Sequence, residues 1–401
     1  MESIRELYKI GRGPSSSHTM GPFKAARQFQ QAYPEADGFR VILYGSLALT
    51  GMGHMTDAVI LEALGADRTE VIFDKNTPTP VHPNTVDFMA LQNGKAIGTR
   101  RVYSVGGGSI LIDGEAPLET QAIYPHRTFR EIAEYCNARN MRLPDYVEMV
   151  EGKEIWDYLS DIWLAMESCI DRGLRTTGEL GGGLHVTRKA HYLYNQRHID
   201  ESAQTRENRL VCAYAFAVGE ENASGGEIVT APTCGACGVV PSVLKYMQEQ
   251  KGFSDEQVLR ALATGGLIGN IIKTNASISG AECGCQAEIG SACSMAAAAL
   301  AELFGMGIEQ IEYAAEVAME HHLGLTCDPI NGLVQIPCIE RNAVAAMRAI
   351  NALSLANFLT SMSKIPFDTV VRTMYETGIH LKSEYRETGE GGLAKHYVNR
   401  S

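Results

Sequence analysis

Apolar and polar positions divide the chain into two regimes. FRVILYGSLALTG (39–51) opens as an apolar, β-branched run, and TDAVILEALG (56–65) continues as a short helical pattern closed by glycine. VIFD (71–74) and TRRVYSVGG (99–107) alternate with a period near two, the mark of strands buried on one face. These patterns predict an α/β fold for residues 1–140. Between 141 and 175, LPDYVEMVEGKEIWDYLSDIWLAMESCIDRGL is charged, aromatic and helical, and predicts a helical connection. From 176 to 401 the pattern is nearly all helical and rich in alanine. In IEQIEYAAEVAMEHHLG, for example, Ile308, Ile311, Ala315, Ala318 and His322 share one face and Gly324 lies past the end. NAVAAMRAINALSLANFLTSMS (342–363) is similar, and Arg348 with its asparagines marks a buried bundle helix rather than a membrane span. The expected architecture is an α/β N-terminal domain followed by an all-α helical bundle domain.

Composition narrows the function. A chain of 401 residues suits two or three domains, and a net charge of −12 argues against nucleic acid as a partner. MESIRELYKIGRGPS lacks an apolar signal core, and no apolar run reaches ~18 residues, so a cytoplasmic protein without a membrane partner is expected. Glycine is the outlier, 40 of 401, clustered at 106–108, 178–183 and along 265–291. Such clusters mark loops where backbone approaches something closely.

Ten cysteines carry more information. Cys136, Cys169 and Cys212 are scattered and suit buried packing, whereas the other seven fall between 234 and 338. Cys285 precedes a strong helix-forming run and Cys338 follows Pro337 at the opening of another, so both are expected near helix N-termini, where a thiolate is favoured. Cys327 lies in the turn TCDPING. Soft thiolates on loops and helix starts suit metal ligation, yet Cys285-x41-Cys327-x10-Cys338 matches no compact zinc or ferredoxin pattern. From spacing alone, ligation and packing both stand. Cys234-Gly-Ala-Cys237 has the spacing of a redox pair but lacks the strand-and-aromatic lead-in, so loop packing is the favoured reading there.

GRGPSSSHTMGP (11–22) sets Ser15, Ser16, Ser17, His18 and Thr19 between Gly-Pro pairs ahead of a helical pattern. One serine would suffice as a cap, so the loop reads as an anion site. His18 and His54, the latter in TGMGHMTD, are flanked by small residues and are candidates for a general base or a substrate contact. An ordinary histidine pKa near ~6.5 suits that role. His321 and His322 read as structural. Asn275, Ser277 and Ser279, just before Cys285, are candidate donors to a carboxylate or to a cluster.

Taken together, GPSSSHTMGP, YGSLALTGMGHMTD, YSVGGG, ENASGGEIVTAPTCGACG, NASISGAECGCQAEIGSACSMAAA and MEHHLGLTCDPINGLVQIPCIERNA resemble the iron–sulfur L-serine dehydratases. The likeness runs over essentially the whole chain, in the single-chain arrangement with the smaller domain first. It implies a 4Fe–4S cluster on Cys285, Cys327 and Cys338 and deamination of L-serine to pyruvate and ammonia. It also implies that the serine-rich loop and the His54 segment close over the cluster from the first domain. In that scheme Ser15, Ser16, Ser17, Thr19, Asn275 and Ser277 bind substrate, His54 is the base and His18 its alternate. No pyridoxal phosphate is implied; Lys273 is the one lysine near this region and nothing singles it out. The interdomain site and long connecting helices suggest a homodimer. There are two departures. Cys234 stands where the family more often has asparagine, and the chain ends LAKHYVNRS without the tail cysteine that the family often directs at the cluster. The competing reading is a thiol-disulfide or electron-transfer protein using the same cysteines, with a cluster-bearing sensor as a third.

Overall fold

The computed structural model describes residues 1–115, 122–197, 200–359 and 362–398. The tail end at 399–401 and two residues of the 342–363 pattern therefore lie outside the described residues.

A five-stranded mixed sheet forms the smaller core. Its strands are β2 (Gly38–Tyr44), β3 (Thr69–Asp74), β4 (Thr85–Gln92), β5 (Lys95–Gly106) and β6 (Ser109–Ile112), in the order β3-β2-β4-β5-β6. Only β2 and β3 run parallel, with Val41 opposite Val71; β4 answers β2 antiparallel, with Val41 opposite Phe88. Alternation decides the faces. Phe39, Val41, Leu43, Val86, Phe88 and Val102 turn inward onto helices α1 (Gly21–Ala32) and α3 (Thr56–Leu64), meeting Phe29, Ile60 and Leu64. The intervening residues carry charge: Arg101 pairs with Asp87 at 2.7 Å and Arg40 with Glu70 at 2.7 Å. Strands β4 and β6 were not among the elements expected from sequence.

The rest is largely helical. After α2 (Gly45–Thr50) and α3 come α4 (Phe129–Asn137), α5 (Leu143–Glu151), α6 (Ile155–Arg175), α7 (Ala190–Asn195), α8 (Ala203–Ala223), α9 (Val239–Lys251) and α10 (Asp255–Asn275). Then follow α11 (Gly280–Cys283), α12 (Ser291–Leu303), α13 (Ile308–Glu320), α14 (Cys338–Leu359), α15 (Phe367–His380) and α16 (Gly392–His396). Every residue of α12, SACSMAAAALAEL, is buried, and the helix packs against α9, α10, α13 and α14. Small side chains let those neighbours close in on it. No helix among the described residues is long and apolar enough to cross a membrane.

Packing departs from the expected boundary at residue 140. Met1, Ile4, Leu7 and Tyr8 belong to the helical core, as do Phe129, Ile132 and Cys136 of α4. A Cβ on Gly266 of α10 would stand 2.8 Å from the Tyr8 ring, so glycine there is what admits the N-terminal segment. Strand β1 (Ile10–Arg12) pairs antiparallel with β7 (Glu227–Val229), which itself interrupts the expected all-helical portion. The α/β core is thus confined to the chain between α1 and β6, and the segment preceding it is part of the larger body.

Candidate functional site

Ser15 caps a short wide helical turn, Ser16–Met20, that runs directly into α1. Its Oγ accepts from the His18 amide at 3.0 Å, and its own amide donates to Thr19 Oγ1 at 3.2 Å. Thr19 then donates to the His54 carbonyl at 2.7 Å, tying the serine-rich turn to the second histidine loop. Ser16 gives its carbonyl to the Gly21 amide. All five residues, Ser15 to Thr19, are buried. The turn is pinned from the helical body as well, because Asn222 of α8 donates its amide to the Pro14 carbonyl at 2.9 Å.

Hydrogen-bond partners fix how each imidazole carries its proton. His54 Nδ1 lies 2.9 Å from the Thr50 carbonyl, which can only accept, so Nδ1 is the protonated nitrogen and Nε2 presents a lone pair. Ser46 Oγ donates to the Glu387 carbonyl at 2.8 Å, so it must accept from His18 Nε2 at 3.0 Å. That leaves His18 Nδ1 as an acceptor, with the Ser17 hydroxyl 3.0 Å away. The two rings stack with centroids 4.4 Å apart. Burial pushes His54 down to about 4, and burial together with the neighbouring His54 pushes His18 well below its ordinary value. The ordinary pKa expected from sequence is therefore wrong for both, since desolvation disfavours the imidazolium.

Both lone pairs face a residue that sequence reasoning missed. Glu387 Oε1 stands 3.5 Å from His54 Nε2 and 3.6 Å from His18 Nδ1. Glu387 is buried, and its φ of +58° lies in the left-handed region that non-glycine residues seldom occupy. Its amide donates to the Cys327 carbonyl at 2.9 Å and the Cys327 amide to Tyr385 O at 2.8 Å, so the 385–387 segment is laced to the Cys327 turn. The only sequence signal was a small glycine-rich motif, RETGEGG, far from the cysteines.

The three singled-out thiols come together behind this layer. Cys285 caps the turn Gln286–Gly290 that leads into α12, Cys338 is the first residue of α14, and Cys327 sits in the intervening loop. The Cys327 thiol and the Arg341 guanidinium draw the Cys285 thiol below its usual pKa, while the same bond to Cys285 and burial push Cys327 up, and burial and Cys285 push Cys338 up. Arg341 is itself fixed on the Thr326 carbonyl at 2.7 Å and Asp328 at 2.9 Å. Glu288, also missed, is half-buried beside Cys285; desolvation and Cys285 raise its carboxyl, and Thr233 donates to it at 2.7 Å. A Cβ on Gly280 would come within 2.6 Å of Glu288 Oε2 and 3.3 Å of Cys327 Sγ, so the glycine lets this loop lie directly on both.

Other candidates are spent elsewhere. Asn275 is exposed at the end of α10, its amide donating to the Arg127 and Ile271 carbonyls. Ser277 is buried but gives its hydrogen to Glu282 at 2.6 Å. Lys273 pairs with Glu2 at 2.7 Å. Cys234 and Cys237 are buried with thiols pushed up by desolvation, Cys234 touching Met20 Sδ at 3.5 Å. His322 donates to the Ala318 carbonyl at 2.7 Å, a structural role.

Comparison with known proteins divides the chain within the α/β core, between β3 and β4. Residues 3–71 match the family model described as serine dehydratase beta chain, and residues 81–394 match serine dehydratase alpha chain. L-serine dehydratase 1 of Escherichia coli is 40% identical, covering 98% of this chain and 99% of its own length. L-serine dehydratases of Haemophilus influenzae and Streptomyces coelicolor are each 39% identical over 98% and 99% of this chain, and 99% of their own lengths. With both matched parts in one polypeptide, the chain belongs to the single-chain L-serine dehydratase family.

Proposed function

We propose that this chain deaminates L-serine to pyruvate and ammonia, with Cys285, Cys327 and Cys338 holding a 4Fe–4S cluster. The carrying observation is the continuous path from the serine-rich turn through His18, Ser46 and Glu387 to Cys327. It links hydroxyls and two neutral imidazoles to the turn that carries Cys327. The donor set fits the group: three free thiols, one of them favoured as thiolate by the Cys327 thiol and by Arg341, leave one position of a cubane without a protein sulfur. When bound, such a cluster supplies a Lewis-acid iron that helps the β-hydroxyl leave.

The chain's own residues do the rest. The Ser17 hydroxyl, with the Ser16 and Ser17 amides of the turn's opening, receives the substrate carboxylate. His54 Nε2, unprotonated and held in orientation by Thr50, takes the α-proton. Loss of proton and hydroxide gives aminoacrylate, whose tautomer hydrolyses in water to pyruvate and ammonia. Asn275 has no part in this.

Anaerobic reconstitution, iron and sulfide counting, and a pyruvate assay with L-serine test the reading. About four iron and four sulfide per chain with serine turnover are expected. Thiol-disulfide or electron-transfer activity without serine turnover would replace it with the competing reading.

A further inference from the structure

A cleft of about 530 Å³ opens along the seam between the α/β core and the helical body. One wall is the N-terminal segment of the helical body, with Lys9, Ile10 and Arg12, backed by Tyr158 of α6. The other is made by α1 and α3, with Phe23, Lys24, Val59 and Glu62. Its size suits a small organic molecule.

The charges that line it are incompletely paired. Lys9 meets Glu6 at 2.9 Å; Arg12 meets Glu62 at 3.0 Å and donates to the Gly225 carbonyl at 3.0 Å. Lys24, exposed on α1, is the one charged lining residue without a partner among the described residues. Three cations thus face two carboxylates, in a chain whose net charge is −12. Apolar groups flank this local positive excess. Ile10 is 46% exposed, and Phe23 and Tyr158 are half-buried. An open apolar wall beside an unpaired ammonium suits a ligand with one anionic head and an apolar body. A phosphate group suits it less, because the arginine that would clasp it is already committed to Glu62 and Gly225.

The cleft also touches the serine-rich turn. Met20 ends that turn and lines the cleft. Glycine on both sides makes room for it: a Cβ on Gly11 would stand 2.3 Å from Met20 Cε, and one on Gly108 3.4 Å. Thr19, also in the wall, donates to the His54 carbonyl at 2.7 Å. An occupant packed against Met20 and Thr19 therefore braces the turn and, through it, the His54 loop.

We infer that this cleft is an effector site for a small carboxylate bearing an apolar side chain, its carboxylate on Lys24 and its side chain against Ile10 and Phe23, and that occupancy tightens the binding of serine. The coupling to serine rests on the function proposed above; the site itself does not.

Two probes share this chemistry and differ in source, L-leucine as an amino acid and 4-methyl-2-oxopentanoate as an oxo acid. 3-Methylbutan-1-amine lacks the carboxylate. Calorimetric titration of the anaerobic holoenzyme should give one site per chain for at least one of the two carboxylates, with Kd below about 1 mM, and none for the amine. The tighter of the two names the source. Lys24→Glu should weaken that binding about ten-fold, Lys24→Arg by no more than about two-fold, and Ile10→Thr about five-fold, with kcat in the absence of ligand unchanged. Saturating ligand should lower KM for L-serine at least about two-fold in the parent and not in Lys24→Glu. No saturable binding of either carboxylate, equal binding of the amine, or binding that Lys24→Glu and Ile10→Thr both leave unchanged overturns the inference. So does a KM that is unchanged or raised at saturation. A parent holoenzyme with full iron that does not turn over serine refutes the proposed activity instead, and the titration with its dependence on Lys24 still decides the site.

Discussion

Burial of His54 makes a prediction opposite to the one its type suggests. With a pKa lowered to about 4, the imidazole is about 97% neutral at pH 5.5 and fully neutral at pH 7.5. Were it an ordinary histidine near ~6.5, only about 9% would be neutral at pH 5.5. The acid limb of kcat/KM, which reports the free enzyme, should therefore be nearly flat between these pH values, where an ordinary base would lose about ten-fold. The flat limb has a chemical cost, because a weaker base transfers the α-proton less readily; positioning by the Thr50 carbonyl at 2.9 Å must make up for it. The matching substitution is His54→Asn, whose amide NH2 can keep the bond to Thr50 while removing the Nε2 lone pair. Loss of the base should cut kcat by about 10²–10⁴ with iron content and far-UV circular dichroism unchanged. The assay is anaerobic pyruvate formation across pH, with cluster absorbance followed in the same samples. A ten-fold fall by pH 5.5 with intact absorbance refutes the buried neutral base. So does a His54→Asn enzyme within three-fold of the parent.

Alanine or serine at Cys285, Cys327 or Cys338 should each abolish bound iron, whereas changes at Cys136, Cys169 and Cys212 should not; a Cys234/Cys237 double variant that loses iron as fully would overturn the ligand set. Ser46→Ala leaves the buried His18 Nε2–H and the Glu387 carbonyl without a partner, so thermal or denaturant unfolding should register a loss of about 1–3 kcal/mol, with iron content preserved. Asn275→Ala should leave kcat/KM within about two-fold, since its amide serves two backbone carbonyls away from the site. His322, held down to about 4 by burial, protonates more readily in the unfolded chain; stability is full above ~6.5 and declines as pH falls toward 4, by about 2 kcal/mol between pH 7.5 and 5. His322→Gln should remove that share of the pH dependence in melts compared at the two pH values.

Where the sequence placed residues as the structure does, the signal was local. The serine-rich turn announces itself through hydroxyls beside a helix start, and Cys285 and Cys338 through their positions ahead of helix-forming runs. Where it failed, the deciding contact was distant. Met1, Ile4, Leu7 and Tyr8 form a short apolar run that says nothing about its partner, and only the glycine face of α10 draws it into the helical body. Asn275 looked available because polar residues near a cysteine look alike in sequence, yet it ends a helix and caps carbonyls. Glu387 is one of 47 acidic residues. What distinguishes it, burial against two histidines and a left-handed backbone, is tertiary throughout.

The serine-rich turn is tethered to the helical body and not only to the α/β core that follows it. The family resemblance implied that this turn and the His54 loop arrive together from the first domain. In the structure the turn is held on both sides: β1 pairs with β7, the Gly13 amide donates to the Gly226 carbonyl at 3.1 Å, and Asn222 holds Pro14, all from the helical body. The His54 loop meets that body differently. A Cβ on Gly53 would lie 2.4 Å from the Gly332 carbonyl, so the loop packs by close backbone approach, and Ser46 adds a single side-chain bond to Glu387. Backbone pairing resists separation more than one hydroxyl and a packed glycine do. The two loops are themselves joined, Thr19 to the His54 carbonyl at 2.7 Å and His18 to Ser46 at 3.0 Å, so the tethered serine-rich turn holds the His54 loop in place.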